Sequence, residues 1–264
     1  LNLELQGKVV LVTGGAKGIG EAIVRSFAGE GAVVSIVDRN PDVAEKLIQD
    51  IESSGGKAFC IPTELTDEEA CRNAVEQTVS KGGGLDVLVH NAGVNDGVGL
   101  DSSPSDFLSS IQKSLFHVFA LTHFALDKLV ESKGNVINIG SKVAVTGQGG
   151  TSGYAACKGA MNALTREWAL DLAERGVRVN SVIPSEVMTP MYRRWLDSLD
   201  NPDQTLESIE ENIPLGKRMT TDAEIADAVV FLASERSSHT TGQIFYPDGG
   251  YVHFDRAYGK IKLD

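Results

Sequence analysis

Tyr154 and Lys158, four positions apart in a chain of 264 residues, are the side chains whose types and spacing most directly permit chemistry. Met161, Leu164, Trp168 and Leu172 follow at intervals of three or four, so the segment from Gly153 reads as a helix that opens with this pair on one face. A tyrosine hydroxyl titrates near ~10 and is a poor base at neutral pH. A neighbouring ammonium favours the phenolate and brings it towards working pH, which makes the two a candidate acid/base couple. The bare spacing is common and equally describes a surface Tyr and Lys one turn apart. Ser141 gives it weight. Asn135-Val-Ile-Asn-Ile-Gly140 reads as a strand, and the hydroxyl lies at its carboxyl end, where open α/β sheets bind their ligands.

A second constellation stands near the start of the chain. Lys8-Val-Val-Leu-Val-Thr13 is a β-branched run, followed by Gly14-Gly-Ala-Lys17-Gly18-Ile19-Gly20 and a helical pattern from Glu21 to Gly29. Glycines at 14, 18 and 20 let the backbone approach a pyrophosphate, and the helix amino end offers N–H groups and a positive dipole. Ala32-Val-Val-Ser-Ile-Val-Asp38 is a further buried strand that ends in an acid eighteen positions past Gly20, close to the offset of a ribose-binding carboxylate. An Asp there accepts from both ribose hydroxyls and repels a 2′-phosphate, so NAD is expected over NADP. Lys17 and Arg39 pull the other way.

Positioning these groups requires alternating strands and helices. Val43 to Ser53 reads as a helix, Lys57 to Pro62 as the third strand, and Thr66-Asp-Glu-Glu as a capping-box start. Leu85 to His90 is the fourth strand, leading into Asn91-Ala92-Gly93, and Ser105 to Val130 reads as one long helix buried on several sides. Strands at Asn135 to Ile139 and Val177 to Ile183, a helix from Glu224 to Leu232 and a strand ended by Gly242 to Gly250 complete the pattern. The expectation is a single α/β domain over 1–264: a doubly wound, seven-stranded parallel sheet with helices on both faces.

Composition narrows the partners. A formal net charge of −12 argues against nucleic acid or an anionic membrane surface and leaves a small molecule. Three cysteines, Cys60, Cys71 and Cys157, show no metal spacing and read as buried thiols in a reducing compartment, so no metal is expected. No run of about 18 apolar residues occurs, and Leu1-Asn-Leu-Glu-Leu-Gln lacks a basic start, so a cytoplasmic location is expected.

Thr13-Gly14-Gly-Ala-Lys-Gly18-Ile-Gly20, Asn91-Ala-Gly93, Ser141 and Tyr154-Ala-Ala-Cys-Lys158, in this order over nearly the whole chain, resemble the short-chain dehydrogenase/reductase family. The resemblance implies a Rossmann fold and hydride transfer between a substrate carbon and a nicotinamide. It casts Tyr154 as acid/base, Lys158 as its electrostatic partner and ribose ligand, and Ser141 as the hydrogen bond to the reacting oxygen. It places the cofactor against Gly14, Lys17, Gly18, Ile19, Gly20, Asp38 and Arg39. Glu64 and Leu65 would lie near the adenine, Asn91, Ala92 and Gly93 beside the adenosine, and Pro184, Val187 and Thr189 at the nicotinamide or pyrophosphate. Three positions depart from the family pattern: Ser114 stands where an Asn holds a relay water, Ser185 where Gly is usual, and Glu64 where Asp is usual. A shorter hydroxyl at Ser114 can still hold a second water, and a chain without turnover would instead be a cofactor-bound regulatory protein.

The family's variable segment, about 185–218 here, closes over substrate. Glu186, Tyr192 and Trp195, with Gln148 from the catalytic loop and Ser141 and Tyr154, offer directional polar groups around one indole. Sugars ask for that set, although such charges also suit the solvated face of a lid. Thr146-Gly-Gln-Gly-Gly-Thr-Ser-Gly-Tyr154 and Ile183-Pro-Ser-Glu-Val-Met-Thr-Pro-Met-Tyr-Arg-Arg-Trp195 are similar to bacterial L-fucose dehydrogenases. The expected reaction is NAD-dependent oxidation of an L-fucose-like aldose to a lactone, with an NADPH-linked reductase of 3-oxoacyl or steroid type as the alternative. The resemblance also implies a homotetramer. Surplus apolar faces on the helices 105–130 and 153–174 agree with it, and the aromatic run Gly249 to Tyr258 could reach a neighbouring subunit.

Overall fold

A computed structural model describes residues 2–254. Seven strands form one parallel sheet: β1 (Val9–Thr13), β2 (Val33–Asp38), β3 (Lys57–Pro62), β4 (Val87–His90), β5 (Asn135–Ile139), β6 (Arg178–Val182) and β7 (Ile244–Phe245). Their spatial order is β3-β2-β1-β4-β5-β6-β7. β1 is therefore an interior strand, pairing Val12 with Ile36 of β2 on one side and with Val89 of β4 on the other. The order reverses between β1 and β4, the crevice where a doubly wound sheet takes its ligand.

Helices α1 (Gly18–Gly29), α2 (Pro41–Ser53), α3 (Glu68–Gly82), α4 (Pro104–Ile111), α5 (His117–Ser132), α6 (Ser152–Asp171), α7 (Pro190–Asp197), α8 (Pro202–Glu211) and α9 (Asp222–Ala233) connect the strands. β1 reads as a nearly continuous apolar run because both faces of the sheet are covered. In β1, Val10 and Val12 join a core with Ile23 and Phe27 of α1, Leu47 of α2 and Val229 of α9. Leu11, pointing the other way as the two-residue period requires, joins Val75 of α3, Leu121 of α5 and Met161 of α6. Prolines begin α2, α4, α7 and α8, where their missing N–H costs nothing.

The structure departs from expectation in three places that matter. The helix read over 105–130 is interrupted: α4 and α5 are joined by a π-helical turn, Gln112–Phe116. The extra residue in that turn accompanies the burial of Ser114, which bonds both backbone groups of Val94. Asp67, not Thr66, caps α3, because its carboxylate accepts from the Ala70 N–H while the Thr66 hydroxyl donates to Glu64. β7 is reduced to two residues, and the chain then turns into Tyr251–His253. Of the aromatic run 249–258, residues from Asp255 lie outside the described residues. Among the described residues no helix is long and apolar enough to cross a membrane.

Candidate active site

The glycine turn between β1 and α1 is fastened before any ligand is considered. Gly14 and Gly18 adopt φ of +62° and +57°, which side-chain-bearing residues rarely take. A Cβ on Gly20 would run into the Gly14 carbonyl and the Asn91 side chain. Asn91, just past β4, donates its side-chain amide to the carbonyls of Thr13 and Gly14, at 3.0 Å each. The Thr13 hydroxyl in turn accepts from the N–H groups of Asn91 and Ala92. These bonds stitch the carboxyl ends of β1 and β4 together across the point of reversal.

This cradle fits a dinucleotide, since the positive φ of Gly14 and Gly18 shapes the turn and the amino end of α1 faces it. Asp38 ends β2 and accepts from the Ala16 N–H at 3.2 Å and the Asn40 N–H at 3.0 Å, so its carboxylate is turned towards the glycine turn. Lys17 and Arg39 are exposed, and Ile19 is partly buried. Glu64 spends an oxygen on Thr66, and Leu65 beside it is partly buried. Ala92 is partly buried and Gly93 exposed, with Lys158 in contact with the Gly93 position. Pro184 and Val187 are buried, and Thr189 packs against Gly18.

Three elements bring the acid/base groups together. Ser141 follows β5, and Tyr154 and Lys158 occupy the first two turns of α6, with Tyr154 hydrogen-bonded to Ser141. The Lys158 ammonium lies 5.6 Å from the centre of the Tyr154 ring and donates to the Ile139 carbonyl at 2.7 Å. Burial pulls Lys158 down to about 8. Burial also holds the Tyr154 hydroxyl above its usual range, offset in part by the Ser141 bond. Desolvation thus opposes the lowering expected from the neighbouring Lys158. The ammonium spends a hydrogen bond on Ile139, and burial of the phenol is the larger effect on its proton.

Ser114 sits close by in the Gly93-Val94 turn, accepting from the Val94 N–H and donating to the Val94 carbonyl, at 3.2 Å each. Its hydroxyl is thereby engaged with backbone. Below lie two buried imidazoles, His90 and His117, their ring centres 6.4 Å apart. Desolvation lowers His117 to about 4 and His90 well below its usual value, and nearby Lys158 adds to both effects. The floor beneath Lys158 is therefore uncharged at neutral pH.

The remaining expected residues surround the segment after β6. Glu186 is buried and ion-paired with Lys142, whose ammonium lies 4.6 Å from the centre of the Tyr251 ring. Burial pulls the Lys142 amine towards about 8, against the attraction of the Glu186 carboxylate. Thr189 caps α7, accepting from the Tyr192 N–H. Tyr192 meets Trp195 edge to face at 5.1 Å, and the indole is 46% exposed. Gln148 is exposed in the loop before α6. Reading the sequence passed over Lys142 and His117, and gave Thr13 and Tyr251 no role in this site. Only Lys142, directly after Ser141, carried a visible signal. Among the described residues no group of three or more His, Cys, Asp or Glu is arranged to hold a metal ion.

Comparison with known proteins agrees with this geometry. The family model described as enoyl-(acyl carrier protein) reductase matches residues 14–252. The 3-oxoacyl-[acyl-carrier-protein] reductase of Thermotoga maritima is 36% identical over 95% of this chain and 100% of its own length. The L-fucose dehydrogenase of Mus musculus is 38% identical over 97% of this chain and 93% of its own. The crystal structure of Cj0485 dehydrogenase superposes with a TM-score of 0.93 at 41% identity, covering 100% of both chains. With its seven-stranded parallel sheet, its glycine turn and its Ser141, Tyr154 and Lys158 on adjoining elements, the chain belongs to the short-chain dehydrogenase/reductase family, oxidoreductases that act on small molecules with an NAD(P) cofactor.

Proposed function

We propose that the protein is an NAD-dependent dehydrogenase that oxidises the anomeric hydroxyl of an L-fucose-like aldose to the lactone. The observation that carries the sugar reading is the segment entering α7, where the buried carboxylate of Glu186 precedes Tyr192 and a half-exposed Trp195 indole. Such a segment joins directional hydrogen bonding to an aromatic face that suits the C–H side of a pyranose. The likeness to L-fucose dehydrogenase supports the same choice.

Bound in the crevice, a nicotinamide supplies a hydride acceptor for the carbon being oxidised. Gly14, Gly18 and Gly20 would take the pyrophosphate, Asp38 the adenosine ribose, and Thr189 the nicotinamide end. Ser141 holds the reacting oxygen while the Tyr154 phenolate takes its proton, and Lys158 stabilises that phenolate. Ser114 positions the Val94 turn beside Lys158. Residues 185–218 act as a lid that excludes water. Asp38 supports NAD, because its carboxylate ends β2 beside the glycine turn, where the adenosine ribose would lie, while Lys17 and Arg39 are exposed.

A panel of L-fucose, D-arabinose, L-galactose, steroid alcohols and 3-hydroxyacyl thioesters, each with NAD and NADP, tests the reading by absorbance of the reduced cofactor. Turnover of an aldose with NAD is expected. Activity confined to thioesters with NADP would establish the second reading, a 3-oxoacyl reductase, which the likeness to the Thermotoga enzyme favours. Self-association is part of the same proposal. Phe119 is 59% exposed beside a groove floored by Leu126, Trp168 and Leu172 on α5 and the end of α6. An apolar face of that kind is expected to be covered in a cytoplasmic homotetramer, and a monomeric mass by light scattering would refute it.

A further inference from the structure

We infer that the Lys142–Glu186 pair, braced by Tyr251, is the element that selects substrate: a donor and an acceptor set side by side to grip one of the ring hydroxyls of the sugar. The inference rests on the sugar reading and names the residues that enforce it.

The topology brings the three residues together. β5, β6 and β7 are neighbours in the sheet, and Lys142, Glu186 and Tyr251 each lie shortly past the carboxyl end of one of them. That is the edge at which such sheets bind ligands. Lys142 directly follows Ser141, and its N–H donates to the Pro184 carbonyl at 3.0 Å, which ties the two strand ends together. The Glu186 carbonyl accepts from the Thr220 N–H at 3.0 Å. Tyr251 is held by a buried carboxylate: Asp248 accepts from the N–H groups of Gly250 at 2.8 Å and Val252 at 3.0 Å. All three backbones are fixed, so the side chains they present are preorganised.

A count of donors and acceptors shows that the cluster is unfinished. An ammonium has three hydrogens, and Lys142 directs them at Glu186 and at the Tyr251 hydroxyl, 3.5 Å away. Glu186 Oε1 takes the Lys142 bond, while Oε2 makes none among the described residues. The Tyr251 hydroxyl accepts from Lys142 and donates to none of the described residues. The pair is largely buried but keeps 14% and 8% of its side-chain surface in contact with solvent. Burying two charges is expensive, and a purely structural tie is served as well by packed apolar residues. A half-satisfied donor–acceptor pair one residue from Ser141 matches a hydroxyl that both donates and accepts, and it penalises an acyl chain, which can do neither.

The test compares kcat/KM for L-fucose with that for analogues lacking the hydroxyl at C2, C3 or C4, in wild type and in Lys142→Met. Wild type is expected to lose roughly tenfold to a hundredfold on at least one analogue, as sites built to hydrogen-bond a hydroxyl do. Lys142→Met is expected to discriminate against that analogue by less than about threefold, the loss now falling on L-fucose itself. Should the single variant fail to fold, the double variant Lys142→Met, Glu186→Gln leaves no buried charge unpaired, and NADH titration by fluorescence confirms its fold. Undiminished discrimination in a folded variant overturns this inference and leaves the sugar reading standing. If wild type oxidises no aldose, both fall together.

Discussion

Lys158→Met should separate stability from activity in this protein. Lys158 is 2% exposed, and burial brings its amine from the ordinary 10.5 down to about 8. Keeping it charged at pH 7 in that setting costs roughly 3 kcal/mol, at about 1.36 kcal/mol per pKa unit. Methionine fills nearly the same volume and removes that cost. It also removes the bond to the Ile139 carbonyl, worth about 1–2 kcal/mol. The variant should therefore be more stable than wild type at pH 7 by about 1–2 kcal/mol, while losing aldose turnover. The sign of the pH dependence follows from linkage. The folded amine gives up its proton near pH 8 and the unfolded one near 10.5, so between these values the unfolded state binds more protons and wild-type stability rises with pH. Lys158→Met lacks this contribution, so its advantage should shrink between pH 8 and 10.5. Urea unfolding of both proteins at one protein concentration, at pH 7 and again near the top of that window, measures the difference. A variant less stable than wild type by more than about 1 kcal/mol at pH 7, or one whose difference from wild type does not change with pH, would refute the reasoning.

Tyr154→Phe should lower kcat by roughly a hundredfold to ten-thousandfold with NADH affinity nearly unchanged, as fluorescence titration and steady-state rates will report. A variant that keeps most of its activity rules Tyr154 out as the base. Because burial holds the Tyr154 proton and the Ser141 bond eases its release, kcat/KM for oxidation should climb with pH through the alkaline range. In Ser141→Ala the climb should move to higher pH, and a flat wild-type profile would contradict the assignment. Gly20→Ala should weaken NADH binding by more than about tenfold and cost about 1–3 kcal/mol of stability, because the new methyl meets the Gly14 carbonyl and the Asn91 amide. Isothermal titration together with a thermal melt reads both effects. Asp38→Asn should narrow the preference for NADH over NADPH, since it removes the charge that repels a 2′-phosphate, and unaltered relative affinities would count against the ribose role.

The strands were legible because β-branched runs with both faces buried leave a continuous apolar signature, as in Val9-Val-Leu-Val12. The glycine turn and the Tyr154/Lys158 spacing were legible because their backbone and helix geometry admit few alternatives. The π turn at Ser114 left no trace, since a hydrophobic pattern smeared around a helix does not register one inserted residue. Neither did Asn91's role as a latch on Thr13 and Gly14, which depends on strand order rather than on local sequence. Glu186 was read as a substrate group, but its ion pair with Lys142 joins residues 44 positions apart. The direction of the Tyr154 shift follows from how deeply the phenol is buried, which spacing alone does not determine.

Thr189 has a kinetic consequence. It caps the first helix of the 185–218 segment and at the same time packs on Gly18, whose Cβ position is 3.4 Å from Thr189. One residue thus belongs to both compartments, so filling the first biases the order of the second. Addition should be compulsory, cofactor ahead of aldose, and release should run in reverse. Product inhibition by NADH should then be competitive against NAD and noncompetitive against the aldose. Labelled aldose incubated with the enzyme alone and then chased with NAD and excess unlabelled aldose should yield no labelled product beyond the diluted level.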